Sequence, residues 1–162
     1  MDISNNNHNK IGMGQYKIGS SPEILKTTAL GSCIGIAIYD NNNKIGGLVH
    51  IMLPEKSNNS KITKYADTGI PFLIENMEKK GAKRNYMKAK IAGGAQMFEL
   101  TSQNENMQIG KRNIKTVRKV LNKMNIQITG QDVGKNYGRT MIFNLENGEI
   151  IISSHKYKDK IL

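Results

Sequence analysis

The only cysteine of the chain, Cys33, lies in "TTALGSCIGIAIYD" (27–40), directly behind Leu30-Gly31-Ser32 and at the mouth of an apolar run. A thiol there can act as a nucleophile once its proton is removed, because the thiolate is the reactive form. A lone free cysteine is more often a small buried hydrophobe. The Gly-Ser turn weighs against that bland reading. A turn entering a strand can present a sulfur at a surface and aim consecutive backbone N–H groups at one point, which is the geometry of an oxyanion hole. Gly31, Ser32 and Cys33 are the donors nominated by position. A nucleophilic thiol needs a base, and His50 in "GGLVHIML" is the best placed of the three histidines. His8 and His155 sit in polar surroundings near the two ends. The competing reading for His50 is an imidazole satisfied by a carbonyl at a sheet edge. A base also needs a group that fixes its tautomer. Thr27 and Thr28 both precede the turn, and chemistry alone does not choose between them.

These groups meet only if the intervening elements bring them together. In "IGIAIY" (34–39) Ile34, Ile36 and Ile38 alternate with Gly35, Ala37 and Tyr39, which is a strand period. "DNNNK" (40–44) is a turn, and "IGGLVHIML" (45–53) is a second strand closed by Pro54. Antiparallel pairing of the two returns His50 to the end where Cys33 begins. Downstream, the pattern predicts a helix over 67–81, with Pro71 tolerated only near its first turn and Gly81 as its C-terminal cap. A strand follows over 87–94. A second helix over 109–125 carries the stripe Ile114, Val117, Val120, Leu121 and Met124. Three strands follow, at 126–133, 139–145 and 149–154, with the last two joined by a turn at 146–148. Polar loops are expected at 55–61 and 101–108. The class is α+β. Residues 1–12 read as a disordered arm, 13–155 as one domain and 156–162 as a basic tail.

A chain of 162 residues fits one domain with a real core, built from Ile, Leu, Val and Met because Trp is absent. No apolar run is long enough to span a bilayer, and the Asn-rich N-terminus lacks the apolar segment of a signal peptide. A cytoplasmic protein is expected, and a single Cys, which forms no internal disulfide, agrees with a reducing compartment. The net charge of +11 fits an acidic partner, although Lys here accompanies abundant Asn and Ile, as AT-rich coding alone would produce. No aromatic residues interleave with the basic ones and no zinc-finger spacing occurs, so nucleic acid is not the expected partner.

"T-x-x-L-G-S-C-I-G-I" followed by "GGLVHIMLP" resembles the signature of the chemoreceptor glutamine deamidase family, CheD. "KYADTGIPFLIENMEKKGAKR" resembles the family's central helix, and "KIAGGAQMF" its Gly-Gly-Ala segment. "IGKRNIKTVRKVL" and "GQDVGKNYGRTMIFNLENGEI" resemble its last helix and closing strands, so that the likeness runs in order over about residues 12–152. The resemblance implies Cys33 as nucleophile, His50 as base and Thr27, rather than Thr28, as the third catalytic residue, with no metal or organic cofactor. It implies a layered α/β fold of packed β-sheets flanked by helices, similar to glutamine-deamidating toxins and related cysteine hydrolases. The implied substrates are glutamine side chains on the cytoplasmic helical coiled coil of methyl-accepting chemotaxis receptors. The implied second partner is a CheC-type phosphatase, and an alternative role is to bind and stimulate that phosphatase with little catalysis. One departure from the family pattern is Gly134-Lys135, where a Gly-Gly pair is usual.

Overall fold

The computed structural model describes residues 9–97 and 108–162. Strands β4 (Ile34–Asp40) and β5 (Ile45–Ile51) form the expected hairpin. Its two faces differ in size: Ile34, Ile36, Ile38, Val49 and Ile51 point to one side, with Cys33, Ala37 and Leu48 on the other. The bulky face packs against helices α1 (Ala66–Lys79) and α2 (Ile109–Lys123) through Ile70, Leu73, Val117 and Leu121. The small face packs against a second sheet. The order is therefore helices, sheet, sheet, which is an α+β sandwich.

The sheet between the helices and the second sheet runs β2-β5-β4-β6-β7, with β2 (Tyr16–Ser20), β6 (Met87–Gly93) and β7 (Gln127–Val133). The outer sheet runs β1-β3-β8-β9-β10, with β1 (Lys10–Ile11), β3 (Ile24–Leu30), β8 (Arg139–Asn144), β9 (Ile150–Ser153) and β10 (Lys160–Ile161). Leu25, Leu30, Met141 and Phe143 of the outer sheet fill the inter-sheet core with Ala37, Leu48 and Ala92. Helix α1 ends as expected. Gly81 takes a φ of +105°, its N–H donates to the Glu78 carbonyl at 3.0 Å, and Ala82 N–H donates to that of Met77 at 3.1 Å.

Several expectations change. The arm predicted over 1–12 does not reach 12: Lys10–Ile11 is strand β1, paired parallel with β3, and Ile11 is 2% exposed. Residues 1–8 lie outside the described residues, as does all but Gln108 of the loop expected at 101–108. Strands β2 and β3 were not expected at all. The tail predicted over 156–162 ends in β10, which pairs with β9, and the Lys160 ammonium bonds Asp132 at 3.1 Å. Pro71 sits inside α1, past its first turn, because that helix begins at Ala66. It removes one helical N–H there.

Candidate functional site

His50 stands on β5, which pairs with β2 on one side and β4 on the other, and its ring points between the two sheets with no solvent exposure. Its backbone is fixed from outside the hairpin: the His50 carbonyl accepts from Gly14 N–H at 2.8 Å, and its own N–H donates to the Gln15 carbonyl at 3.0 Å. Thr27 projects from β3 of the facing sheet. Its Oγ1 donates to the Ile11 carbonyl at 2.7 Å, and the same oxygen lies 2.7 Å from His50 Nδ1. A hydroxyl has one proton to give. With that proton on Ile11, Oγ1 is an acceptor toward the ring, so Nδ1 carries the hydrogen and Nε2 is left with its lone pair. Nε2 is buried and has no hydrogen-bond partner among the described residues. Burial pushes the imidazole pKa down from 6.5 to about 4, so the neutral form prevails. The hydroxyl adds no negative charge to oppose that shift.

The close approach of Thr27 depends on Gly35, which pairs with His50 across the hairpin. A Cβ on Gly35 would lie 3.4 Å from the Thr27 methyl, and 3.1 Å from both Leu30 and Met141. Thr28, the other candidate, is half-buried and has no bond to His50. Of the two threonines that precede the turn, Thr27 is the one in contact with the His50 ring.

Cys33 precedes β4 and sits on the inter-sheet side, two residues before Gly35 and so on the same face as His50. It is 9% exposed, so the sulfur is not presented at the surface as the turn had implied. Burial raises the thiol pKa, while the residue's own backbone N–H pulls it the other way. Cys33 and His50 share a face without a hydrogen bond between thiol and ring. Catalytic hydrogen bonds of ligand-free sites are commonly long and tighten when substrate binds.

The loop before β4 is held by its carbonyls. Gly31 C=O accepts from Ala95 N–H at 2.8 Å and Cys33 C=O from Gly94 N–H at 2.9 Å. Gly93 makes the second approach possible: it has a φ of +116°, and a Cβ there would lie 2.1 Å from the Cys33 oxygen. Ser32 C=O accepts from the Asn113 side chain at 2.9 Å. Of the nominated oxyanion donors, Gly31 N–H is already used, donating to the Ala29 carbonyl at 3.1 Å. Among the described residues, the N–H groups of Ser32 and Cys33 donate to no carbonyl. The tight turn follows a bulge between Thr27 and Leu30, where Ala29 takes a φ of 57°.

Two contributors were missed from sequence. Ile11 was assigned to the arm, yet it supplies the carbonyl that orients Thr27. Asn113 is a fully buried amide on α2 between Gly110 and Val117. A polar residue at helical spacing within an apolar stripe is the signal that could have found it. Among the described residues no cluster of three or more His, Cys, Asp or Glu side chains could hold a metal ion. His155 is exposed, and His8 lies outside the described residues.

Residues 52–154 match the family model described as "CheD chemotactic sensory transduction". A protein from Clostridium acetobutylicum named "Probable chemoreceptor glutamine deamidase CheD" is 51% identical over 88% of this chain and 88% of its own length. Proteins of the same name from Clostridium novyi and Clostridium botulinum are 51% and 47% identical, over 88% and 90% of this chain and 90% and 91% of their own lengths. Alignments this long leave too few residues at either end to omit the segment from Thr27 to His50, which the family model does not reach. The chain belongs to the CheD family.

Proposed function

We propose that this chain hydrolyses glutamine side-chain amides of chemoreceptors to glutamate and ammonia, with Cys33 as nucleophile, His50 as general base and acid, and Thr27 as the group that sets the imidazole tautomer. Nε2 takes the Sγ proton as the sulfur bonds to the amide carbon. The oxyanion that forms is held by the N–H groups of Ser32 and Cys33, each worth about 3–4 kcal/mol where such donors have been removed. The carbon–nitrogen bond then breaks, ammonia leaves with the proton returned by Nε2, and a thioester remains. Water attacks the thioester, its proton passes to Nε2, and the thiolate leaves and is reprotonated. Every proton is accounted for by one imidazole cycling between neutral and charged forms.

The observation that supports this reading best is the relay from Ile11 through Thr27 to His50 Nδ1. It leaves a bare Nε2 on the same side of the sheet as the chain's single thiol. The names of the relatives supply the substrate class. No helix among the described residues is long and apolar enough to cross a membrane. The reading places the enzyme in the cytoplasm, on the helical coiled coil of the receptors. The test is mass spectrometry of receptors co-expressed with wild type or with Cys33→Ala. Wild type adds about one dalton per modified site, the difference between amide and acid, and Cys33→Ala adds none. A wild type that leaves every receptor unchanged would remove the deamidase reading and leave binding of a CheC-type phosphatase as the function.

A further inference from the structure

We propose that Asn113 is a positioning residue of this site, which fastens the nucleophile loop to the strand bearing the histidine and fixes the direction of the Cys33 N–H. The inference rests on the reading of Cys33 and His50 as the hydrolytic pair. Asn113 is fully buried, and its Nδ2 donates to two backbone carbonyls, Ser32 at 2.9 Å and Met52 at 3.0 Å. An amide nitrogen has two hydrogens, and both are used. Because both partners are acceptors, only one orientation of the amide fits. The β4–β5 ladder ends at the pair Ile34–Ile51. Ser32 and Met52 lie just past that end, one leading into Cys33 and the other two residues beyond His50. Asn113 bridges them where the ladder no longer does.

The consequence for chemistry follows from peptide planarity. The carbonyl of Ser32 and the N–H of Cys33 belong to one trans peptide, so they point in opposite directions. Anchoring the oxygen on α2 aims the Cys33 N–H away from that helix. The flanking Gly31 and Cys33 carbonyls are anchored by Ala95 and Gly94 N–H groups. In the same stretch, a Cβ on Gly110 would lie 2.5 Å from the Gly94 and Ala95 oxygens, so α2 is seated directly on the chain that holds the loop. Among the described residues, the Ser32 carbonyl is the one of the three loop carbonyls held by a side chain. Asn113 Oδ1 is buried without a partner among the described residues. A leucine there would continue the Val117–Leu121 stripe and leave no such orphan, so the value of the amide lies in its two donated bonds.

The experiment compares wild type with Asn113→Leu, which keeps the number and branching of side-chain heavy atoms and removes both donors, and Asn113→Asp, which keeps the shape. Two readouts are taken: kcat and KM on a receptor fragment, and the rate at which iodoacetamide alkylates the single thiol. For Asn113→Leu, kcat falls about 10- to 100-fold with KM within about two-fold, because an oxyanion donor is misdirected rather than lost. Alkylation becomes faster as the loop loosens. In Asn113→Asp the buried carboxyl, when protonated, restores one bond, so kcat recovers as pH falls through its raised pKa. Unchanged kcat and alkylation in Asn113→Leu overturn the proposal, as does a loss carried by KM alone. If Asn113→Leu loses cooperative unfolding, the pH profile of Asn113→Asp decides, and a flat profile overturns it. Should wild type itself leave receptors unmodified, the deamidase reading fails. The alkylation rates still decide whether Asn113 holds the loop.

Discussion

At the scale of single residues, the proposed mechanism puts a hydroxyl where many cysteine and serine hydrolases place a carboxylate or amide behind the base. Thr27 Oγ1 can accept from Nδ1–H only because Ile11 takes its proton. Thr27→Val keeps the shape and removes that acceptor. We expect kcat to fall about 10- to 100-fold, less than the roughly 10²–10⁴-fold of a whole general base because the imidazole itself remains, and stability to fall by about 1–3 kcal/mol for the orphaned Nδ1–H. Thr27→Ser should retain both. Steady-state kinetics and urea unfolding of the two variants check this, and equal activity of Thr27→Val and wild type would remove Thr27 from the mechanism. The ring also sets a pH dependence. Burial lowers the His50 pKa from 6.5 to about 4, so between these values the unfolded chain binds a proton that the folded chain does not. The contribution is fully present above 6.5 and is lost at about 1.4 kcal/mol per pH unit as pH falls toward 4. Activity should hold to lower pH than an ordinary histidine allows, declining only near 4 as Nε2 gains its proton. In Asp132, burial raises the pKa but bonds from Arg139 and Lys160 outweigh it and lower it overall, so its loss comes only below 3.8. The unfolding free energy of His50→Gln should therefore be flat between pH 6.5 and 5, where that of wild type slopes.

At the scale of elements, the site is a junction of backbone segments, and glycine is required where they touch. Gly93→Ala would force a Cβ to 2.1 Å from the Cys33 oxygen in a backbone region costly for any side chain. We expect a loss above about 2 kcal/mol in chemical denaturation, with activity lost as the loop shifts. The Gly134-Lys135 departure has the opposite sign. Lys135 takes a φ of 63°, the left-handed conformation that a second glycine would adopt freely, and its carbonyl still receives Gln96 N–H at 2.9 Å. The turn survives under strain, and Lys135→Gly should stabilise the protein by up to about 1 kcal/mol, read as a higher melting temperature. The β4–β5 hairpin and α2 could be read from sequence because their apolar periods are unbroken. For β3 the period breaks: Leu25 and Thr27 face inward, the bulge intervenes, and Leu30 resumes the inward face three residues on. Strands β1 and β10 have two residues each and exist only through pairing with neighbours distant in sequence. Cys33, His50 and Thr27 were named from their types and the family motif. Ile11 and Asn113 act through a main-chain carbonyl and a buried amide, and neither carries a reactive group to draw attention.

At the scale of the molecule, α2 joins the site to the charge. Its inner stripe holds the loop through Asn113, while Lys111, Lys115 and Lys119 on its outer side are exposed and line a cleft with Arg112, Pro54 and Glu55. Pro54 follows Leu53, whose neighbour Met52 is bonded to Asn113, so the cleft adjoins the junction that Asn113 makes with the Cys33 loop. Four of the basic residues behind the chain's net charge of +11 thus stand beside the Cys33 loop, where they raise the encounter rate with acidic surfaces and have little leverage on bond-breaking steps. Screening acts over about 8 Å at physiological salt. For a receptor fragment rich in glutamate, kcat/KM should therefore fall as salt rises while kcat stays constant. The triple variant Lys111→Glu, Lys115→Glu, Lys119→Glu should lower kcat/KM about 10-fold or more at low salt, flatten its salt dependence, and leave both kcat and the unfolding midpoint near those of wild type. Stopped-flow association with the same fragment separates the effect from chemistry, because steering changes the on-rate and leaves dissociation little altered. A wild-type on-rate independent of salt would leave the lysines as a consequence of base composition, with no part in finding the substrate.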